Sequence, residues 1–149
     1  MIDVENLVFD TVYNGVQAVR QDVAVNKGFI EETAVFPCVV VREIGNVPVE
    51  ETNTDACAEN YTKLTYMVEV FSDKAGIARS QCRELLNLVD GIMQGMKFKR
   101  TYMSEAFNIN RTIFRQYARY SLIVDKGTTV VSGEGQQHTT TTTYQTYRR

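Results

Sequence analysis

The stretch YTKLTYMVEVF, residues 61–71, alternates between two sets of side chains and decides the fold. The mostly apolar set consists of Thr62, Leu64, Tyr66, Val68 and Val70. Because successive side chains of an extended chain point to opposite sides, this period of two predicts a β-strand with one buried face.

A helix is predicted directly after this strand, where Ser72 or Asp73 can cap the first turn. Its apolar stripe repeats at spacings of three and four, and Gly95 lies near its end. The stripe consists of Ile77, Ala78, Cys82, Leu85, Leu86, Val89, Ile92, Met93 and Met96. This is the stronger of two helical patterns, so we expect this helix to be the central packing element.

The other helical pattern lies at the N-terminus, over about residues 3–25. Asp3 is its expected N-cap, and Gly28 supplies its stop. The apolar stripe consists of Val4, Leu7, Val8, Val12, Val16, Val19 and Val23.

Three more strands are expected, around residues 36–41, 98–103 and 112–125. The first, FPCVVV, is apolar without interruption, which indicates cover on both faces, and Pro37 stands at its start. In the last strand one parity holds Arg111, Ile113, Arg115, Tyr117 and Arg119. One face of that strand should therefore carry a basic ladder with aromatic filling.

Together these elements predict an α+β domain over residues 1–127. Its expected order is helix, strand, strand, helix, strand, strand, which gives a mixed or antiparallel sheet of about four strands with two helices packed on one side. Residues 43–60 are expected to form a long acidic loop, with a short hairpin as an alternative, and loops of this length are usually functional or mobile. Residues 128–149 form a polar, threonine-rich C-terminal tail, which we expect to be flexible alone and ordered on assembly.

Composition argues against a membrane protein and against a secreted one. Of the 149 residues 44% are hydrophobic, yet no apolar run approaches the roughly 20 residues of a spanning helix. The first ten residues carry acids where a signal peptide would carry bases. We therefore expect the chain to remain in the cytoplasm where it is made.

The charges are unevenly distributed along the chain. Residues 1–60 hold 11 acids and 3 bases, net −8, whereas residues 61–149 hold 7 acids and 13 bases, net +6. The fold can interleave these charges so that they cancel, or keep them apart so that an acidic face of one copy meets a basic face of the next. The sequence leaves both alternatives open.

No catalytic, cofactor or metal site is expected. The nucleophile-elbow, phosphate-loop, zinc-protease and dinucleotide signatures do not occur, and His138 is the single histidine. Cys38 and Cys82 are expected in the core, and Cys57 in a polar loop. The acids Glu50, Glu51, Asp55 and Glu59 have no calcium-loop spacing and are expected to form a solvated acidic loop.

The basic ladder, together with Lys97, Lys99 and Arg100, raises nucleic-acid binding as an alternative. A net charge of −2 is wrong for a dedicated nucleic-acid binder. Ion pairing of these arginines with carboxylates of a neighbour is therefore favoured.

Several stretches resemble the tail-terminator, or tail-completion, proteins of long-tailed bacteriophages. They are the opening segment 4–12, the strand 36–41, the strand 61–71 before the helix with Leu85 and Leu86, and the segment RQYARY at 115–120. The resemblance covers roughly residues 1–126 and rests on topology, length and apolar patterning. The threonine-rich tail is not part of it.

This resemblance implies a structural virion protein of the tail and neck, assembled in the host cytoplasm. A homo-oligomeric, hexameric ring would cap the tail tube, stop its polymerisation and join it to the head. Its partners would be the major tail-tube protein and a head-completion or neck protein, with genome DNA passing through the lumen. The alternatives are a head-completion or neck protein itself, or a small nucleic-acid-binding regulator.

A ring needs two different patches on each copy. The candidate interface residues are Glu50, Glu51, Asp55 and Glu59 in the acidic loop, Arg111, Arg115 and Arg119 in the last strand, and Tyr144 and Tyr147 in the tail.

Overall fold

One mixed five-stranded sheet with two helices on one side forms the fold. The computed structural model describes residues 1–28, 35–49, 61–106 and 112–125. The elements in chain order are α1 (Glu5–Val19), β1 (Ala24–Lys27), β2 (Cys38–Pro48), β3 (Tyr61–Ser72), α2 (Ala78–Gly95), β4 (Lys99–Ala106) and β5 (Phe114–Asp125). The strand order is β1-β2-β3-β5-β4; β1 is parallel to β2, and the other pairs are antiparallel. The predicted α+β class is confirmed, with one strand more than expected.

Strand β3 is the centre of the sheet, as its alternation indicates. It pairs with β2 on one side and with β5 on the other. Leu64, Tyr66, Val68 and Val70 are at most 1% exposed and belong to the main core beneath the helices. Fully burying one such side chain contributes about 1.5–3 kcal/mol.

Helix α2 packs against this row, but it begins later than the sequence indicates. Its first residue is Ala78 and its N-cap is Ile77, with no side-chain capping bond. Ser72 is not the cap because it is the last residue of β3, and its hydroxyl donates to the side-chain oxygen of Gln81. The apolar stripe packs as expected, with Leu85, Leu86, Val89 and Met93 buried.

Helix α1 is shorter than predicted, and a strand replaces its last turns. The helix ends at Val19, and Ala24–Lys27 pair in parallel with the start of β2. Val23 is buried as expected, but in the chain leading into β1, where its carbonyl accepts a 2.7 Å hydrogen bond from the Gln17 side chain. A short strand continues the burial that a longer helix would have given.

Strand β2 is longer than predicted and takes in the start of the expected loop. Residues 43–48 continue the strand, pairing with β3 as far as Pro48 opposite Thr62. A bulge between Glu43 and Gly45 leaves Ile44 without a partner. The long β3 offers ladder partners to this polar stretch. The short hairpin that was the alternative for 43–60 would need residues 50–60, which lie outside the described residues.

The two edges of the sheet are unequal. The edge strand β1 has four residues, whereas the edge strand β4 has eight, most of them exposed. In β4 a bulge between Arg100 and Tyr102 leaves Thr101 unpaired with β5. No helix of the described residues has the length and apolar character needed to cross a membrane.

Candidate interaction surface

The surface with the most unusual chemistry is the sheet face opposite the helices, here called the far face. Alternation along β2, β3 and β5 directs every second side chain to it. Near Glu69 its members are Cys38, Val40, Arg42, Met67, Glu69, Phe71, Arg115, Tyr117 and Arg119, and Tyr102 joins them from β4.

Glu69 is the electrostatic centre of the far face. Its Oε1 accepts a hydrogen bond from Nη2 of Arg42 at 2.9 Å, and its Oε2 lies 3.0 Å from Nη2 of Arg115. The Glu69 side chain is 9% exposed, whereas those of Arg42 and Arg115 are 33% and 27% exposed. One carboxylate thus holds two guanidinium groups, and this Arg42–Glu69–Arg115 cluster keeps a net charge of +1.

The two guanidinium groups retain unused donors. The Nε atoms of Arg42 and Arg115 are buried and have no hydrogen-bond partner among the described residues. A buried N–H without an acceptor costs about 1–3 kcal/mol, so both atoms would gain from an added acceptor. The cluster is therefore short of negative charge and of hydrogen-bond acceptors alike.

Aromatic rings extend the cluster toward the β4 edge. The guanidinium carbon of Arg115 lies 5.7 Å from the ring centroids of Phe71 and Tyr117, within the range of cation–π attraction. The ring of Tyr117 lies 5.8 Å from that of Tyr102, which is 50% exposed. The row of rings therefore runs from a buried position out to solvent.

A small apolar cluster occupies the other end of the far face. Cys38, Val40 and Phe71 are buried there, with Ala24, Phe36 and Ile113 packed against them. The cover on both faces expected for residues 38–41 is confirmed, since all four are at most 2% exposed. Burial, with Asp73 adding to it, raises the pKa of the Cys38 thiol to about 11.

Of the predicted interface residues, Arg115 and Arg119 lie on the far face. Arg115 is bound within its own chain by Glu69, whereas Arg119 is exposed and forms no ion pair among the described residues. Arg111, Glu50, Glu51, Asp55, Glu59, Tyr144 and Tyr147 lie outside the described residues, as does Cys57. Their assignment to an interface stays a prediction.

Sequence reasoning missed Glu69 and Arg42 as partners. The signal for Glu69 was a single carboxylate within the apolar run MVEVF. A charged side chain is almost never fully buried unless it is paired, so that position demanded a cation. The register of three strands determines which cationic side chains pair with Glu69, and that register cannot be read from the sequence.

Charges on the helix side are balanced internally. Asp90 accepts hydrogen bonds from the Tyr120 hydroxyl at 2.8 Å and from Arg100 at 3.0 Å. Burial, followed by the hydrogen bond to Asp90, raises the pKa of Tyr120 well above its usual range. Of the two neighbouring bases Lys99 and Arg100, Arg100 is therefore paired within the domain, with Asp90.

A cleft of about 810 Å³ lies beside the start of α2. Its charged lining consists of Asp73, Lys74, Arg79 and Glu105, and Arg79 pairs with Glu105 at 2.8 Å. With two acids and two bases, the lining of this cleft has no net charge.

No group of His, Cys, Asp or Glu side chains suited to a metal ion occurs in residues 1–28, 35–49, 61–106 or 112–125. No protein-family model matches the chain, and the curated proteins contain no significant match to it.

Proposed function

We propose that this protein is a structural virion protein that forms a ring on the tail tube of a long-tailed bacteriophage, stops the tube's growth and joins it to the head or neck. One observation carries the proposal. The far face has two guanidinium groups for one carboxylate, with the exposed Arg119 beside them, while residues 50–60 hold four acids and no base. One chain thus carries a basic surface and an acidic segment.

Two different, complementary patches are what a head-to-tail interface requires. An acid of a neighbouring copy would supply the negative charge that the Arg42–Glu69–Arg115 cluster lacks. Such an interface closes into a ring when the rotation between copies is right. The proposed pairing joins segment 50–60 of one copy to the far face of the next.

The phage context comes from the resemblance of residues 1–126 to tail-terminator proteins. The α+β fold with helices on one side of the sheet supports it, because no described element covers the other side, where we propose that neighbouring copies bind. A head-completion or neck protein is the rival within phage assembly.

The proposal is tested with the purified full-length chain. We expect a ring of about six copies by light scattering, and capping of purified tail tubes that blocks further addition of tube protein. A strict monomer that does not bind tubes would overturn the proposal. Binding to heads in place of tubes would favour the neck protein, and a salt-dependent gel shift of duplex DNA would favour the regulator.

A further inference from the structure

The outer edge of β4 is an unused template for strand pairing. Seven residues of β4 pair with β5 on the inner side, and no described strand pairs with the outer side. Alternate N–H and C=O groups of an edge strand point away from the sheet, and another chain can bind them.

The two halves of this edge differ in protection. Lys99 and the bulge at Thr101 protect one end, since a charged edge residue and a bulge both discourage added strands. The half from Tyr102 to Ala106 lacks them, and its one charged residue, Glu105, is engaged by Arg79. Tyr102 and Met103 are 50% and 39% exposed there, so this half offers both backbone groups and apolar contacts.

The chain itself contains a segment suited to this edge. Twenty-four residues follow Asp125, and among them 139–147 read TTTTTYQTY, without a charged residue. Thr and Tyr favour extended structure, yet the segment has no aliphatic residue with which to build a core. A strand of this kind is stabilised by adding to an existing sheet, where main-chain hydrogen bonds supply the affinity.

The tyrosine spacing also matches β4. Tyr144 and Tyr147 are three residues apart, so an extended chain places them on opposite faces. Tyr102 projects to the far face, and its neighbour Met103 projects to the helix face. When Tyr147 lies directly opposite Tyr102, Tyr144 lies opposite Glu105, on the same face as Met103 and diagonal to it.

We infer that residues 139–147 of a second copy of this chain dock as a strand on the outer edge of β4, at Tyr102–Ala106. A strand from the same copy is less suitable. Since Lys99 pairs with Ser121, Asp125 lies beyond the protected end of β4, and a strand added directly from the same copy would run parallel to β4. A neighbour can pair in the antiparallel direction, which is more stable per residue. The inference rests on the proposed self-assembly of copies.

The donor segment is tested in the full-length chain by the double substitution Thr141→Pro, Thr142→Pro. Consecutive prolines remove one N–H from each edge of the strand, whichever edge faces β4, and they lie outside the described residues. The matched control is Thr141→Val, Thr142→Val, which keeps shape and backbone donors. The proline chain is then titrated with a fluorescent peptide of residues 136–149.

We expect the wild-type and valine peptides to bind the proline chain, and the proline peptide to bind at least tenfold more weakly. Equal binding of all three peptides, or binding of none, would overturn the inference. If none binds while six-copy rings still form and cap tubes, the inference fails and the proposed function stands. Peptide binding without tube capping leaves the inference standing and removes the proposed function.

Donation between copies is tested by complementation. Alternate N–H groups of β4 face outward, so of Met103→Pro and Ser104→Pro the variant that retains the wild-type circular dichroism spectrum blocks the acceptor edge. This variant still has a donor segment, and the proline-tail chain still has an acceptor edge. We expect a mixed complex when the two are combined and less association by either alone. Peptide binding without a mixed complex would show pairing within one copy and overturn the inference.

Discussion

The helix face and the far face of the sheet are built by the same strands but differ in how completely their polar groups are paired. On the helix face the chain supplies its own cover, and the polar groups of Tyr120 and Asp90 are matched within the domain. On the far face three strands bring together two arginines and one glutamate, with donors left over. The difference indicates that the helix face maintains the fold, and it supports the proposal that another molecule completes the far face.

The largest expected effect tests the helix face. Leu85→Ala should lower the free energy of unfolding by about 2–5 kcal/mol, because Leu85 is 1% exposed in the main core. Leu88 is the matched control, since it lies on the same helix only partly buried, and its replacement by alanine should cost less. Urea unfolding of the two variants gives the comparison; equal losses would contradict the assigned packing of α2.

A smaller loss is expected at the centre of the far face. Glu69→Gln should lower the free energy of unfolding by about 1–3 kcal/mol, because it leaves Arg42 and Arg115 without their counter-ion while their partial exposure lets water screen them.

Glu105→Gln is the control for that change, because its partner Arg79 is 71% exposed and such a pair contributes about 0–1 kcal/mol. Thermal melts by circular dichroism measure both variants. If Glu69→Gln is as mild as the control, the Arg42–Glu69–Arg115 cluster does not support the fold.

Charge reversal separates the fold from assembly on one strand. The sequence alone predicts that reversing Arg115 and Arg119 together weakens association more than folding. The structure divides that prediction: Arg115→Glu would bring a second carboxylate against Glu69 and should destabilise the fold, whereas Arg119 is exposed.

For Arg119→Glu we expect a free energy of unfolding within about 0.5 kcal/mol of the wild type, together with weaker self-association. Sedimentation velocity at low and high salt, beside a thermal melt, checks both parts. Unchanged association would remove Arg119 from the interface.

The smallest expected difference compares one buried thiol on each face. Burial raises the pKa of Cys82 on the helix side to about 12, and that of Cys38 to about 11. Since the thiolate is the reactive form, both should react slowly with iodoacetamide at pH 8, and Cys38 should react somewhat faster. Mass spectrometry of samples taken at successive times measures labelling at each site. Faster labelling of Cys82 than of Cys38 would contradict the prediction.

The same thiols predict a loss of stability in alkali. Their pKa values are higher in the folded chain than in the unfolded chain, so the folded state holds more protons above about pH 8.5. Stability is therefore fully present below that pH and is lost as the pH rises toward 11 and 12.

Sequence patterns predicted the helix face well because they record periodicity. The alternation at 61–71 and the stripe through Leu85 and Leu86 each depend on spacing along one segment. The register of β2, β3 and β5 does not, so the meeting of Arg42, Glu69 and Arg115 could not be predicted from spacing.

Errors at the element ends have a similar origin. Val23 fits a helical stripe, but it is equally buried before β1, where a partner strand supplies the hydrogen bonds. Residues 43–48 are polar enough for a loop, yet β3 is long enough to pair with them. In both cases a distant segment decided the local structure.

The unequal lengths of the two edge strands affect the number of copies in an assembly. With β1 too short to compete, the inferred strand exchange gives each copy one acceptor edge and one donor segment. Each copy then contacts two neighbours, one through its acceptor edge and one through its donor segment. In a row of copies every edge and every segment is paired only when the last copy binds the first and the ring closes. Copy number is then fixed by the angle between neighbours, and a chain that accepts but cannot donate acts as a terminator at substoichiometric amounts.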